Sequence, residues 1–215
     1  MRVTVLLLVA GLLTGCSQTP APQTNQTVES VTKELTDKIR AKGSYRAKFP
    51  DGEGIVVITG DKTADIDLTT KAVVQTGKPA EQLRFVSTAD NEVYAMLPPA
   101  FELPQDKPWV RLNRADTDDF TTTMLGFYNG AARQILLAGG HLQIIAATGA
   151  LKSTVERDGN TTYNFAVDNN TITLDVDAQR LPTRLTVNGA ATTFSDWGAA
   201  PKVTPPDPAQ VSQRN

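Results

Sequence analysis

The sequence predicts an α+β fold in which an antiparallel β-sheet packs on helices. Three observations lead there. Apolar residues recur at helical spacing near the start of the chain and again in its middle. Elsewhere they alternate with period two in short runs. Those runs are separated by tight Gly-, Asn- and Asp-containing turns, which join antiparallel neighbours rather than parallel ones.

The chain opens on a leader. Arg2 supplies a positive charge, and Val3 to Leu13 form an apolar run of about 11 residues, the length of a secretory h-region. A membrane span needs roughly 20 such residues. Leu13-Thr14-Gly15-Cys16 follows, and Cys16 is the only cysteine. This resembles the lipobox of a bacterial lipoprotein, with Thr14 where Ala or Ser is usual. The resemblance implies a signal peptide over 1–15 and acylation of Cys16 as the first mature residue. An ordinary cleaved secretory peptide is the alternative. Two or more acyl chains anchor stably, at ~0.8 kcal/mol per buried methylene, so the expected location is the extracytoplasmic face of the cell membrane. Residues 16–27 then hold the lipidated Cys16 and a flexible linker. Ser17 to Thr27 is rich in Thr, Gln and Pro and without apolar period, a coil reaching on the order of 20 Å.

A domain is expected over 28–203. Val28, Val31, Leu35 and Ile39 form one stripe of a helix from about Val28 to Lys42, with charges opposite and Gly43 as the stop. Strands follow at Ser44 to Phe49, Gly54 to Thr59, Ala64 to Val74, Leu83 to Thr88, Val93 to Leu97 and Trp109 to Asn113, with turns at Pro50-Asp51-Gly52, Gly60-Asp61 and Asn91. Pro98 to Pro108 holds four prolines and reads as a rim loop with Phe101 and Leu103 tucked beneath it. The period changes at Thr117, where Thr117 or Asp118 can cap a helix carrying Phe120, Met124, Phe127, Ala131 and Ile135. Gly139-Gly140 should break it before a short second helix from His141 to Ala147. Both segments are apolar on more than one side, as helices inside a curled sheet would be. The last third returns to strands at Leu151 to Arg157, Thr161 to Asp168, Thr171 to Asp177, Arg184 to Val187 and Ala191 to Trp197. Asp158-Gly159-Asn160 and Asn188-Gly189 are hairpin signals. Residues 204–215 read as a Pro-rich tail.

Composition bounds the chemistry. Net charge is −2, with 40% apolar and 20% charged residues, so there is no basic footprint for nucleic acid. One cysteine excludes an intrachain disulfide and a Cys-based metal site. The single histidine, His141, is the only available triad base, no G-x-S-x-G elbow or phosphate-binding Gly loop occurs, and it reads as a loop or helix-start residue. No catalytic residue, cofactor or metal site is assigned. The pairs Asp65/Asp67, Asp116/Asp118 and Asp175/Asp177 suit either a hard cation or a solvated face, and with no loop supplying further ligands in an EF-hand pattern the latter is favoured. Arg111, Arg114, Arg180 and Arg184 suit anionic headgroups at a cavity mouth or plain surface charge.

The closing segment Phe194-Ser195-Asp196-Trp197-Gly198, with Val203-Thr204-Pro205-Pro206 and the phrase Val176-Asp177-Ala178-Gln179-Arg180-Leu181-Pro182, resembles the mycobacterial LppX/LprG type of lipoproteins, with their LolA-like fold. The resemblance covers about Val28 to Pro206. It implies a strongly curved antiparallel half-barrel closed by the N-terminal and central helices, with an apolar cavity for acyl chains. It also implies binding and carriage of an acylated lipid or lipoglycan across the envelope, without catalysis. Candidate cavity residues are Val57, Phe85, Leu112, Met124, Phe127, Ile135, Phe165 and Leu174, though for any one of them plain core is the favoured reading. Two functions stand open: a lipid carrier, or a filled version of the same fold acting as an interaction or accessory module with an envelope protein partner.

Overall fold

The computed structural model describes residues 26–61, 63–74, 77–90 and 92–212. The expected leader, Cys16 and most of the expected linker fall outside the described residues, as does the turn expected at Asn91. Helix α1 spans Val28–Lys42 and buries Val31, Leu35 and Ile39, the stripe read from the sequence. A capping box opens it: Thr27 Oγ1 accepts from the Ser30 N–H, and Ser30 Oγ accepts from the Thr27 N–H. Gly43 closes it at φ +75°, a left-handed turn that glycine adopts without strain.

Strands β1 (Ser44–Phe49), β2 (Gly52–Ile58), β3 (Ala64–Ala72), β4 (Glu81–Ser87), β5 (Val93–Met96) and β6 (Trp109–Leu112) form an antiparallel meander. Helix α2 (Asp119–Ile135) is capped by Asp118, whose carboxylate accepts from the Thr121 N–H at 3.0 Å. A π-helical turn at Leu137–His141 leads into α3 (Leu142–Thr148). A second antiparallel meander follows: β7 (Gly149–Arg157), β8 (Asn160–Val167), β9 (Asn170–Val176), β10 (Pro182–Val187) and β11 (Ala190–Ser195). The two meanders meet where β1 pairs β11, with Ala47 opposite Phe194. With a short strand β12 (Val211–Ser212) from the tail, the result is one open sheet, ordered β12-β6-β5-β4-β3-β2-β1-β11-β10-β9-β8-β7.

The tail behaves differently from its sequence reading. Val211–Ser212 forms β12, which pairs parallel with Trp109 and Val110 on the outer edge of β6, and Ser212 Oγ donates to the Lys107 carbonyl. Its prolines hide a segment too short to show a period, yet it covers an edge that would otherwise template foreign strands.

Alternation sets one face of this sheet against the helices. Tyr45, Val56, Leu68, Phe85, Val110, Phe165, Leu174 and Phe194 all contribute to a single core cluster with Leu35, Ile39, Met124 and Ile135. Gly54 permits close approach here, since a Cβ on it would lie 2.7 Å from Ile135 Cδ1. Helix α1 lies against β1 and β7, α2 against β1, β2, β3 and β6, and α3 against β7 and β8. Phe101 and Leu103 pack under their loop as expected, with Phe101 edge-on to Phe120 at 5.9 Å. No helix among the described residues is long and apolar enough to cross a membrane.

Candidate functional site

A concavity walled by both sheet and helices sits where α1 ends, where the β2–β3 turn and the end of β4 meet it, and where α2 breaks toward α3. It is a cleft of about 180 Å³. Val56, Ile58 and Ile66 supply the sheet side, while Tyr128, Leu136 and Ala138 supply the helical side. Its rim is polar and includes Arg40, Asp61, Thr63, Ser87, Thr88 and Arg114.

One buried tyrosine builds the helical wall. Helix α2 stops because Leu136 turns extended at φ −78°, ψ 111°. That break interrupts the ladder between Ile135 and Leu137. Tyr45 Oη donates to the Ile135 carbonyl at 2.9 Å and accepts from the Leu137 N–H at 3.2 Å. Burial holds the Tyr45 hydroxyl far above its ordinary titration range, so it remains a donor throughout the accessible pH range. Leu136, Ala138 and Gly139 are thereby presented to the cleft. The sequence signal for Tyr45 was only its alternation in β1, which says "inward" and nothing of its partners.

Two polar atoms at this cleft have no hydrogen-bond partner among the described residues: Arg40 Nε and Thr88 Oγ1, both buried. Arg40 is held by its outer nitrogens. Its Nη2 donates to the Asp61 carbonyl at 2.7 Å, and Nη1 lies 3.6 Å from the exposed Asp61 carboxylate. Arg114 stacks over the Tyr128 ring at 5.6 Å. Sequence reading placed Arg114 among four rim candidates but passed over Arg40, whose position next to Ile39 on α1 was its only signal.

None of the eight cavity candidates lines this cleft. Phe85, Ile135, Phe165 and Leu174 are 0% exposed, Leu112 is 1% and Met124 is 2%. All six belong to the single core cluster, and four of them, Phe85, Ile135, Phe165 and Leu174, retain no accessible surface. Phe127 is part-buried against the same core. Val57 is a correction: Val56 and Ile58 face the core, and the period-two alternation turns Val57 to the opposite face. The run Ile55-Val56-Val57-Ile58 is apolar throughout, so its phase could not be read from composition.

The remaining candidates have their own partners. Asp67 takes a bidentate pair from Arg84 at 2.9 and 2.7 Å, and Asp65 accepts from the Ala89 N–H. Asp116 accepts from Asn113 and Asp118 caps α2. Asp175 accepts from Thr162, and Asp177 from the Gln179 and Leu181 N–H groups. Arg111 pairs with Glu92 at 2.7 Å, and Arg184 is exposed. Arg180 binds Glu34 through Nε at 2.9 Å and Nη2 at 3.2 Å, and also donates to Thr161 and Tyr163. It borders a second hollow of about 540 Å³ beside the β7–β8 turn, lined mostly by polar and charged residues. His141 ends the π-helical turn, where burial lowers its pKa against an opposing hydrogen bond to the Arg133 backbone. No cluster of three or more metal-ligating side chains occurs among the described residues.

No protein-family model matches the sequence, and no curated protein matches it. Among solved structures, LprF from Mycobacterium bovis is similar. It aligns with a TM-score of 0.47 and 12% identity over 83% of this chain and 96% of that chain.

Proposed function

We propose that this protein is a lipid-anchored extracytoplasmic protein that binds one apolar chain of an acylated lipid in the cleft between α1, the β2–β4 strands and the α2–α3 break. The observation that carries the reading is a cleft floored by Val56, Ile58, Ile66, Leu136 and Ala138 in a chain whose leader ends on a lipobox-like Leu13-Thr14-Gly15-Cys16. Its size refines the reading. Cavities of about 150 Å³ accept groups such as benzene, and whole drug-sized ligands take about 300–1,000 Å³. A cleft of about 180 Å³ therefore suits the end of one chain rather than a multiply acylated lipid swallowed whole. The strongly curved half-barrel and onward carriage through the envelope belong to this proposal, supported by the helices that pack against strands from both meanders.

The test is uptake of lipid by the chain from Cys16 onward, produced without acylation. Native mass spectrometry should find one bound fatty acyl chain per protein. Ala138→Trp, which puts bulk into the cleft, should weaken uptake at least tenfold. Absence of both co-purified and added lipid from the wild-type protein overturns the reading.

A second reading has its own observation. The β7 edge is unpaired among the described residues, and Val155 (54% exposed) and Ile144 (52%) lie exposed on β7 and on the adjoining α3. An interaction module for an envelope protein would use such an edge by strand addition. A crosslinking pull-down that recovers no partner through β7 counts against it.

A further inference from the structure

We infer that the segment Ala21-Pro22-Gln23-Thr24-Asn25 docks on the outer edge of β7 as a short parallel strand, so that the N-terminal tether guards one end of the sheet as β12 guards the other. The inference does not rest on lipid binding. It names an occupant for the edge that an envelope partner would otherwise take. Strand β7 ends the sheet, and nothing pairs with its outer side among the described residues. Its ladder with β8 shifts register between Leu151 and Ser153, so the regular part of that edge is Ser153 to Arg157. Every residue of this part is exposed, Val155 by 54%. Such an edge templates foreign strands unless something covers it. At the opposite edge the Pro-rich tail does so, ending in β12, which pairs parallel with β6.

Position, length and proline phase point to the tether. The described residues begin at Gln26. Gln26, Glu156 and Arg157 line one hollow, so the chain enters the domain beside the C-terminal end of β7. A segment that runs along β7 and ends there is parallel to it. Ala21 to Asn25 matches Ser153 to Arg157 residue for residue, at ~3.3 Å each. Successive strand residues turn their N–H groups to opposite sides, so an edge strand tolerates proline where its nitrogen faces solvent. Pro20 and Pro22 are two apart and therefore turn the same way. With both facing solvent, Ala21, Gln23 and Asn25 present their N–H and C=O groups to β7. The prolines also hold Thr19 and Ala21 extended and remove donors from the new outer edge. The segment carries no charge, so it sets no like charge against Glu156 or Arg157. Its attachment at Gln26 keeps it at high effective concentration, which offsets the entropy of ordering so short a stretch. For a chain anchored at Cys16, docking leaves residues 16–20 as coil, a reach of roughly 12 Å in place of ~20 Å, and holds the domain closer to the membrane.

Amide hydrogen exchange by NMR on the non-acylated chain from Cys16 onward tests this, with two proline variants that differ in phase. In the wild type, the outward-facing amides of Ser153 to Arg157 should exchange at least tenfold more slowly than in Gln23→Pro, which sets a proline nitrogen against β7. Thr24→Pro, with its nitrogen on the solvent side, should keep the protection. Both substitutions lie outside the domain core, and unchanged exchange in β8 and β9 shows that the fold is kept. Fast exchange along this edge in the wild type, or equal exchange in the two variants, overturns the inference. Protection that survives Gln23→Pro and rises with protein concentration, with a doubled mass in light scattering, also overturns it and gives the edge to a second copy of the chain.

Discussion

Tyr45 does more at the scale of one residue than any other side chain near the cleft. Its ring packs against Trp197 at 4.9 Å and Phe194 at 5.9 Å, so it ties the closing segment to the first strand. Its hydroxyl satisfies the carbonyl and the N–H that flank the end of α2. Tyr45→Phe keeps the packing and orphans both backbone groups. The expected cost is about 1–3 kcal/mol, the penalty for buried groups left unpaired, read as a lower midpoint in urea unfolding. A variant within about 0.5 kcal/mol of wild type would mean that the α2–α3 break does not depend on this hydroxyl. Arg180 is the counterpart at the middle of α1. It adopts a left-handed backbone, φ +65°, at the β9–β10 turn, and from there its guanidinium reaches Glu34, Thr161 and Tyr163. The sequence phrase around it was legible as a turn. Its reach to a helix 146 residues away was not, because side-chain partners across the fold leave no local pattern.

Two elements carry the pH dependence expected of the fold. Helix α1 is clamped at its middle by Arg180, whose hydrogen bond holds the Glu34 carboxyl below its ordinary 4.5, against the opposing effect of burial. The π-helical turn before α3 ends on His141, where burial holds the imidazole below its ordinary 6.5. Both folded values lie under the unfolded ones, so the unfolded chain takes up protons first and stability falls as pH falls. The His141 contribution begins to be lost below about pH 6.5, and the Glu34 contribution below about pH 4.5. Melting temperatures measured between pH 7 and 3.5 should decline in these two windows. His141→Gln should flatten the first, and Glu34→Gln should flatten the second while lowering the plateau. A melting temperature that stays level from pH 7 to 5 in the wild type would count against a part-buried, neutral His141. Element boundaries were largely legible: α1 begins and ends where its stripe and Gly43 predict, and Asp118 caps α2. The break of α2 was placed at Gly139-Gly140, but the chain departs from helix at Leu136 and carries the glycines inside the π-helical turn. Glycine permits a break. Tyr45, from another strand, decides where it falls.

At the scale of the whole molecule, the proposed anchor and the cleft are separable. In the proposed reading, Cys16 sets where the protein is, and the cleft sets what it binds. Cys16→Ala should therefore move the protein from the membrane fraction to the soluble extracytoplasmic fraction without changing its uptake of a fatty acyl chain. Retention in membranes after that substitution would show that Cys16 is not the anchor. The fold itself joins two antiparallel meanders at β1 and β11 and seals its outer edge with the tail strand. What the amino-acid sequence determined alone was local: the stripe of α1, the period-two strands, the hairpins at Asp158-Gly159 and Asn188-Gly189, and the lipobox-like leader. These rest on backbone geometry and nearest-neighbour chemistry, which a linear chain already contains. What tertiary structure alone decided was where the interior closes and where it stays open. Phe85, Ile135, Phe165 and Leu174 became solid core, while Val56, Ile66, Ala138, Arg40 and Thr88 came together at a cleft. An apolar side chain reads the same in sequence whether it meets another side chain or an empty space. Only the packing of helices against a particular stretch of sheet distinguishes the two.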